Sequence, residues 1–139
     1  QVKKHTNLAN FSENDKEDFF ANCNFYWKNP KDDNIYSEEL NKTINYFSNF
    51  YEIGPNYEYH CYGKGHYFPW HTDTHCNEIG SIIIPLNKDG QGICKTIYED
   101  KIVTRTYIET IYLNTQARHK TTPSTSNYAH LRLPVVRIL

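Results

Sequence analysis

The spacing of apolar positions predicts two helices in the first part of the chain. In SEELNKTINYFSNFY, residues 37–51, apolar side chains recur at steps of four, three and four and form one face of an amphipathic helix: Leu40, Ile44, Phe47 and Tyr51. An earlier helix is predicted over residues 12–27, where Ser12 serves as an N-cap and is followed by an acidic first turn. Gly54 and Pro55 end the second helix.

From Tyr57 onward the chain consists of short segments rich in Ile, Val, Thr and Tyr, separated by turn signals. These segments predict strands over 57–62, 80–86, 94–100, 101–108, 110–114 and 129–139. Because no helical pattern lies between them, we expect a mainly β fold, an antiparallel sandwich or barrel backed by the two N-terminal helices. The 139 residues are predicted to form a single domain, with helical support over 1–55 and a β-sandwich core over 56–139.

Composition narrows the function classes. The net charge is −1 and no long run of either sign occurs, so we expect no nucleic-acid partner and no membrane surface as a partner. The four cysteines lack the C-x-x-C spacing of a zinc ribbon, and free thiols are expected. The N-terminal residues lack the apolar centre of a signal peptide, and no segment is long enough to span a membrane. These features predict a soluble, cytoplasmic protein.

The stretch FPWHTDTH contains the most informative polar residues of the chain, His71 and Asp73. On an extended segment, side chains two positions apart point the same way, so the imidazole and the carboxylate can converge on one metal ion. One carboxylate with two histidines is the donor set of the facial triad that holds Fe(II) and leaves positions open for a co-substrate and oxygen. An H-x-D pair alone is nevertheless common by chance.

Two histidines later in the chain are candidates for the third ligand. His119 follows the predicted strand TIYLN and is preferred, because a strand end can present it to the centre. His130 lies within the last predicted strand, where it shares a face with Tyr128 and Arg132. If that face points inward, the Arg132 guanidinium can bind an anionic co-substrate through a bidentate pair with a carboxylate.

A zinc site is an alternative reading of the same region. Cys61 and Cys76 could combine with His71 and His75 to hold zinc, although the cysteines do not recur at paired spacings. His60 and His66 are predicted to be solvated residues with no role.

The stretch Y62-G-K-G-H-Y-F-P-W-H71-T-D73 resembles the signature of the Fe(II)/2-oxoglutarate-dependent oxygenases, in particular the prolyl-4-hydroxylase-like and aspartyl/asparaginyl β-hydroxylase-like branches. SIIIPLNKDGQG, residues 81–92, is similar to the strand and turn that follow this motif, and LNTQARH, residues 113–119, looks like the segment that carries the distal histidine. The resemblance covers about residues 57–137. It implies a double-stranded β-helix, also called a jelly roll or cupin-like fold.

The resemblance also implies roles for individual residues. His71, Asp73 and His119 would hold Fe(II), and Arg132 would pair with the distal carboxylate of 2-oxoglutarate. Tyr62 would donate a hydrogen bond to the same co-substrate, with Tyr128 and His130 as neighbours in the pocket. In the family the basic residue falls about nine or ten positions after the distal histidine, whereas Arg132 lies thirteen positions after His119.

The implied function is a dioxygenase that hydroxylates an unactivated carbon of a prolyl or aspartyl/asparaginyl side chain in a peptide or protein. A free amino acid or another small-molecule metabolite is an alternative substrate, because substrate loops diverge more than the core. A third possibility is a non-catalytic, cupin-like module that binds a metal or ligand without turnover. The displaced position of Arg132 favours this last reading.

Overall fold

The computed structural model describes residues 3–4, 25–28, 38–73, 77–86, 94–99, 102–105 and 110–139. These residues form one helix, α1 (Glu38–Phe47), and ten strands. The strands are β1 (Lys3–Lys4), β2 (Phe25–Lys28), β3 (Tyr51–Ile53), β4 (Glu58–Tyr62), β5 (Gly80–Pro85), β6 (Cys94–Tyr98), β7 (Ile102–Arg105), β8 (Ile111–Leu113), β9 (His119–Thr121) and β10 (Tyr128–Ile138).

The strands form two antiparallel sheets, so the predicted mainly β, antiparallel architecture is confirmed. The larger sheet has the order β1-β2-β4-β10-β5-β8, with β3 paired to the second half of β10. The smaller sheet has the order β7-β6-β9. All six predicted strands are present, within a few residues of the expected ends.

Two apolar clusters bury the two faces of the larger sheet. On one face, Leu40 and Ile44 of α1 pack against apolar residues of the sheet, namely Ile82, Leu131, Leu133 and Val135. On the other face, Ile83 and Leu113 pack against Tyr98 of the smaller sheet. The second cluster therefore lies between the two sheets, and residues that share a face with Ile83 point into this inner space.

Strand β10 is the central strand of the larger sheet and changes partner along its length. On one side Tyr128–Arg132 pairs with β4 and Val135–Ile138 pairs with β3, while the other side pairs with β5. Pro134 lies between the two partners, and its carbonyl accepts a hydrogen bond from Gly54 N at 2.9 Å. A proline, which has no N–H to donate, is tolerated at such an interruption of the ladder.

The N-terminal part of the chain differs from the prediction at two places. The first predicted helix extended to Trp27, but Phe25–Lys28 forms β2 and pairs with β4, which suits its aromatic, β-favouring side chains. The rest of that helix lies outside the described residues. The second helix ends at Phe47, and Tyr51 begins β3.

The early end of α1 has a local cause. Ser48 Oγ donates to the carbonyl of Ile44 at 2.7 Å, and Asn49 Nδ2 donates to the carbonyl of Tyr46 at 3.0 Å. The same carbonyls also accept the backbone N–H groups of Ser48 and Asn49, so side chain and backbone together close the last turn of the helix. After this turn the chain becomes extended, and Tyr51–Ile53 pairs with β10.

No helix in the described part of the chain is long and apolar enough to cross a membrane.

Candidate metal centre

The segment before β5 and the strand β9 are joined by a single antiparallel bridge. His71 N donates to the carbonyl of His119, and His119 N donates to the carbonyl of His71, both at 2.9 Å. In a directly opposed pair both side chains leave the same face, so the two imidazoles lie side by side with ring centroids 4.4 Å apart. The backbone therefore positions both histidines at once.

Asp73 completes the cluster from the same segment as His71. Its backbone N donates to the carbonyl of Thr115 at 2.8 Å, which holds the segment against the turn before β9. The Asp73 carboxylate lies 3.8 Å from His71 Nε2 and 3.6 Å from His119 Nε2. The three candidate donor atoms all lie within 4.8 Å of one another, as the ligands of one ion must.

Both imidazoles are held by their other ring nitrogen. His71 Nδ1 lies 2.7 Å from the carbonyl oxygen of Pro69, and His119 Nδ1 lies 2.7 Å from that of Ala117. Because a carbonyl only accepts, each Nδ1 carries the proton, and in the neutral form of each ring the Nε2 lone pair faces Asp73. Metal-binding histidines are oriented by this kind of contact.

The three side chains of the cluster differ in burial, which suits a metal ion that keeps some coordination positions open. His71 and His119 are buried, with 8% and 2% of their surface exposed. The Asp73 side chain is 30% exposed and leaves the cluster open on one side. The structure therefore brings together the three residues that the sequence proposed as ligands. His130, the other candidate for the third ligand, lies elsewhere.

Arg132 lies on the inner face of β10. It is opposite Ile83 in the pairing with β5 and opposite Glu58 in the pairing with β4, so its side chain points between the two sheets. Its Nη1 donates to Glu58 Oε1 at 3.1 Å, and its Nη2 donates to Glu78 Oε2. Burial lowers the pKa of Arg132, but Glu58, Glu78 and Asp73 together outweigh burial and raise it.

The polar contacts of Glu58 extend along the same inner face. Glu58 Oε2 lies 3.2 Å from His60 Nε2, and His60 Nδ1 lies 3.1 Å from His130 Nε2. The buried ring of Tyr128 stacks edge-on against His130 at 5.5 Å. Tyr62 ends β4 opposite Tyr128.

Several inner residues were missed or misread in the sequence. The prediction that His60 and His66 are solvated is wrong, because His60 bonds Glu58 and His130, and His66 is only 1% exposed. Glu58 and Glu78 were not proposed. Glu58 could have been found from its two-residue spacing to His60 on a predicted strand, whereas nothing in the sequence pairs Glu78 with Arg132.

Hydroxyl groups also face the inner space. Ser81 shares the face of Ile83, and Thr96 shares the face of Tyr98. Ser81 Oγ and Thr96 Oγ1 are buried and have no hydrogen-bond partner within the part of the chain that the structure describes. Buried polar groups are normally satisfied, so these hydroxyls suit an inner space that holds a polar ligand or water.

The opposite face of the bridge is a different environment. Lys120 Nζ lies 4.9 Å from the centre of the Trp70 ring, and the Arg118 guanidinium lies 5.8 Å from it. Trp70, Lys120 and Pro123 help to line a cavity of about 240 Å³. Because neighbours along an extended strand alternate, this cavity lies on the side away from the histidine rings.

The zinc reading finds little support among the described residues. Cys61 is exposed and is not part of the cluster that could hold a metal. His75 and Cys76 lie outside the described residues.

No protein-family model matches the chain, and no curated protein matches it in sequence. Solved structures match its fold at low identity. A prolyl hydroxylase from Trichoplax adhaerens, in complex with a hypoxia inducible factor oxygen degradation domain peptide fragment, gives a TM-score of 0.56 at 16% identity, over 96% of this chain and 70% of that one. A Pseudomonas putida prolyl-4-hydroxylase gives 0.55 at 13% identity, over 81% and 71%.

A third similar structure is the viral collagen prolyl hydroxylase of Paramecium Bursaria Chlorella virus-1 in its 2OG complex. Its TM-score is 0.52 at 14% identity, over 86% of this chain and 82% of that one. At these identities the likeness concerns the fold. The chain thus shares the fold of structures described as prolyl hydroxylases.

The geometry predicts that metal binding depends on Asp73 and not on Cys61. Asp73→Ala removes a ligand and should weaken Fe(II) or Co(II) binding at least as much as the loss of an outer-shell contact, which costs about 10–100-fold. Cys61→Ser is the matched control and should bind as the wild type does. Anaerobic titration against a chromophoric chelator measures both. Loss of metal in Cys61→Ser with retention in Asp73→Ala would instead support the zinc reading.

The buried ion pairs predict that Arg132→Ala is destabilising. It leaves Glu58 and Glu78 without their cation in a region where side chains are 11–23% exposed, which should lower the free energy of unfolding by about 3 kcal/mol. Arg137→Ala breaks an exposed pair with Glu52 and should cost no more than about 1 kcal/mol. Urea denaturation compares the two. Equal losses would contradict the assignment of Arg132 as a buried structural cation.

Proposed function

We propose that the chain is a metal-dependent oxygenase that uses Fe(II) and 2-oxoglutarate. The observation that carries the proposal is the convergence of His71 Nε2, His119 Nε2 and the Asp73 carboxylate within 4.8 Å, in a fold shared with prolyl hydroxylases. Two neutral imidazoles and one carboxylate are the donor set of non-haem Fe(II) oxygenases.

The residues fit this role in two respects. The contacts of His71 and His119 with carbonyl oxygens fix their tautomers before any metal arrives, so little reorganisation is needed. Asp73 supplies a carboxylate beside the two imidazoles. Since protons compete with the metal for Nε2, metal affinity should fall as the solution becomes acidic.

When bound, Fe(II) and 2-oxoglutarate would allow O2 to act as the oxidant, with one oxygen atom entering the unactivated carbon as hydroxyl and the other entering the succinate that remains after 2-oxoglutarate loses CO2. The residues of the chain orient the metal and the co-substrate and enclose the centre. The buried imidazoles keep water from one side of the centre, while Asp73 faces the side that solvent reaches. Arg132 lies on the inner face, interacts electrostatically with Asp73, and is the proposed anchor for the co-substrate.

A side chain of a peptide or protein is the proposed substrate, with prolyl and aspartyl/asparaginyl residues as the first choices. The sequence stretch around His71 resembles hydroxylases of these residues, and the similar Trichoplax adhaerens structure contains a peptide. The exposure of Asp73 gives an extended substrate a route to the centre. A free amino acid or small metabolite is the competing choice.

One observation favours a second candidate function, a module that binds a metal or ligand without turnover. The Arg132 guanidinium is already paired with both Glu58 and Glu78. A co-substrate carboxylate therefore does not meet a free cation.

Binding of the co-substrate can be followed by its colour with iron. Anaerobic addition of Fe(II) and then 2-oxoglutarate should produce the visible metal-to-ligand charge-transfer band, and admitting oxygen should release succinate. His119→Ala should lose both signals. Lys120→Ala, whose side chain lies over Trp70 on the other face, should keep both. A folded, Fe(II)-binding protein without the band would support the module instead.

The class of substrate can be tested separately from the co-substrate. A peptide array containing prolyl, aspartyl and asparaginyl residues should yield peptides that gain 16 Da by mass spectrometry, the mass of one oxygen atom. Asp73→Ala, which lacks a metal ligand, is the negative control. Stimulation of succinate release by a free amino acid, with no peptide modified, would reject the peptide substrate and retain the oxygenase.

A further inference from the structure

The guanidinium of Arg132 is occupied on two sides. Nη1 donates to Glu58 at 3.1 Å, Nη2 donates to Glu78, and the arginine side chain is 11% exposed. A carboxylate that binds arginine in the bidentate manner needs two N–H groups of the same fork. An incoming carboxylate must therefore displace at least one of these glutamates from its guanidinium nitrogen or share that nitrogen with it.

The charges around Arg132 make sharing unfavourable. Arg132 is surrounded by the carboxylates of Glu58, Glu78 and Asp73, so the region carries excess negative charge when the histidines are neutral. A divalent cation at His71 and Asp73 would balance that excess. A dicarboxylate would restore it, and like charges placed together in a poorly solvated site cost several kcal/mol.

The two glutamates are held differently. Glu58 lies on β4 directly opposite Arg132, within a strand ladder, and also bonds His60. Glu78 precedes β5, outside any strand, and its side chain reaches Arg132 from there. Displacing Glu58 disturbs a ladder residue with a second partner, whereas displacing Glu78 breaks its pairing with Arg132 but leaves the strand ladder intact.

We propose that Glu78 competes internally with the co-substrate, holding the Arg132 guanidinium until the distal carboxylate of a 2-oxo acid replaces it. This inference rests on the proposed function and adds a specificity residue to it. Glu78 weakens the binding of 2-oxo diacids and leaves the binding of 2-oxo monoacids unaffected. The energetic advantage of a second carboxylate is therefore smaller here than Arg132 alone would provide.

The test compares two ligands that differ only in the distal group. 2-Oxoglutarate and 2-oxopentanoate have the same chain length, but the second lacks the distal carboxylate. Their dissociation constants are measured calorimetrically on the Co(II)-loaded protein under anaerobic conditions. The proteins are the wild type, Glu78→Gln and, as a control, Glu52→Gln, which removes a glutamate from the exposed pair with Arg137.

The expected result is specific to one ligand, 2-oxoglutarate, and to one position, Glu78. Glu78→Gln should bind 2-oxoglutarate about tenfold more tightly, equivalent to removing one like-charge contact of about 1.4 kcal/mol. Its affinity for 2-oxopentanoate should stay that of the wild type, and Glu52→Gln should match the wild type with both ligands. Glu78→Ala should behave as Glu78→Gln does, since Glu58 still holds Arg132 in either variant.

Other results overturn the inference in distinguishable ways. Unchanged or weaker binding of 2-oxoglutarate to Glu78→Gln would show that Glu78 positions Arg132 instead of competing for it, and the proposed function would stand. An equal gain with both ligands would also reject competition for the distal carboxylate. If neither 2-oxo acid binds to any of the metal-loaded proteins, the proposed function fails, and the inference fails with it.

Discussion

The alternation of side chains along β10 is the constraint on which both the core and the candidate site depend. Leu131, Leu133 and Val135 point toward α1 and are almost completely buried. The residues between them point into the space between the sheets, where Arg132 meets Glu58 and Glu78. Strand β10 thus supplies two things: the apolar surface on which α1 packs, and the cation of the polar interior, Arg132.

The metal centre uses a different principle, in which the backbone sets the side-chain geometry. The two hydrogen bonds between His71 and His119 join a loop to a strand end, and carbonyl oxygens two residues earlier fix each ring. Apart from Asp73, the donors are buried imidazoles, which bind a metal in their neutral form and so add little desolvation cost. The charged groups are concentrated around Arg132 of β10, where the carboxylates of Glu58, Glu78 and Asp73 outnumber the one guanidinium.

The elements that could be predicted from the sequence are those with a strong local period. The apolar face of α1, the run Ile82–Ile84 and the last strand each show their spacing directly, and His71 and Asp73 lie close enough in the chain to be recognised as a pair. The place of His119 after a strand favours it over His130, and the structure brings His119 to the other two candidate ligands.

The remaining features depend on contacts between distant segments. Strand β9 has only three residues, His-Lys-Thr, and forms because β6 lies beside it. Tyr51 continues the helical period of α1 but pairs with β10 instead, since tertiary pairing outweighs a local preference. The contacts of Arg132 with Glu58 and Glu78 could not be predicted, because each joins residues far apart in the chain.

Pro134 has a consequence for the register of the larger sheet. Its nitrogen and carbonyl face the junction of β3 and β4, where a donor is not required. If β10 slipped by one residue, its two faces would exchange and Arg132 would point toward the apolar helix side. The same slip would turn the proline nitrogen toward β5 and remove a ladder hydrogen bond there. Pro134 therefore disfavours the misaligned sheet. An apolar proline ring thus helps to keep the charged side chain of Arg132, two residues away, on the inner face.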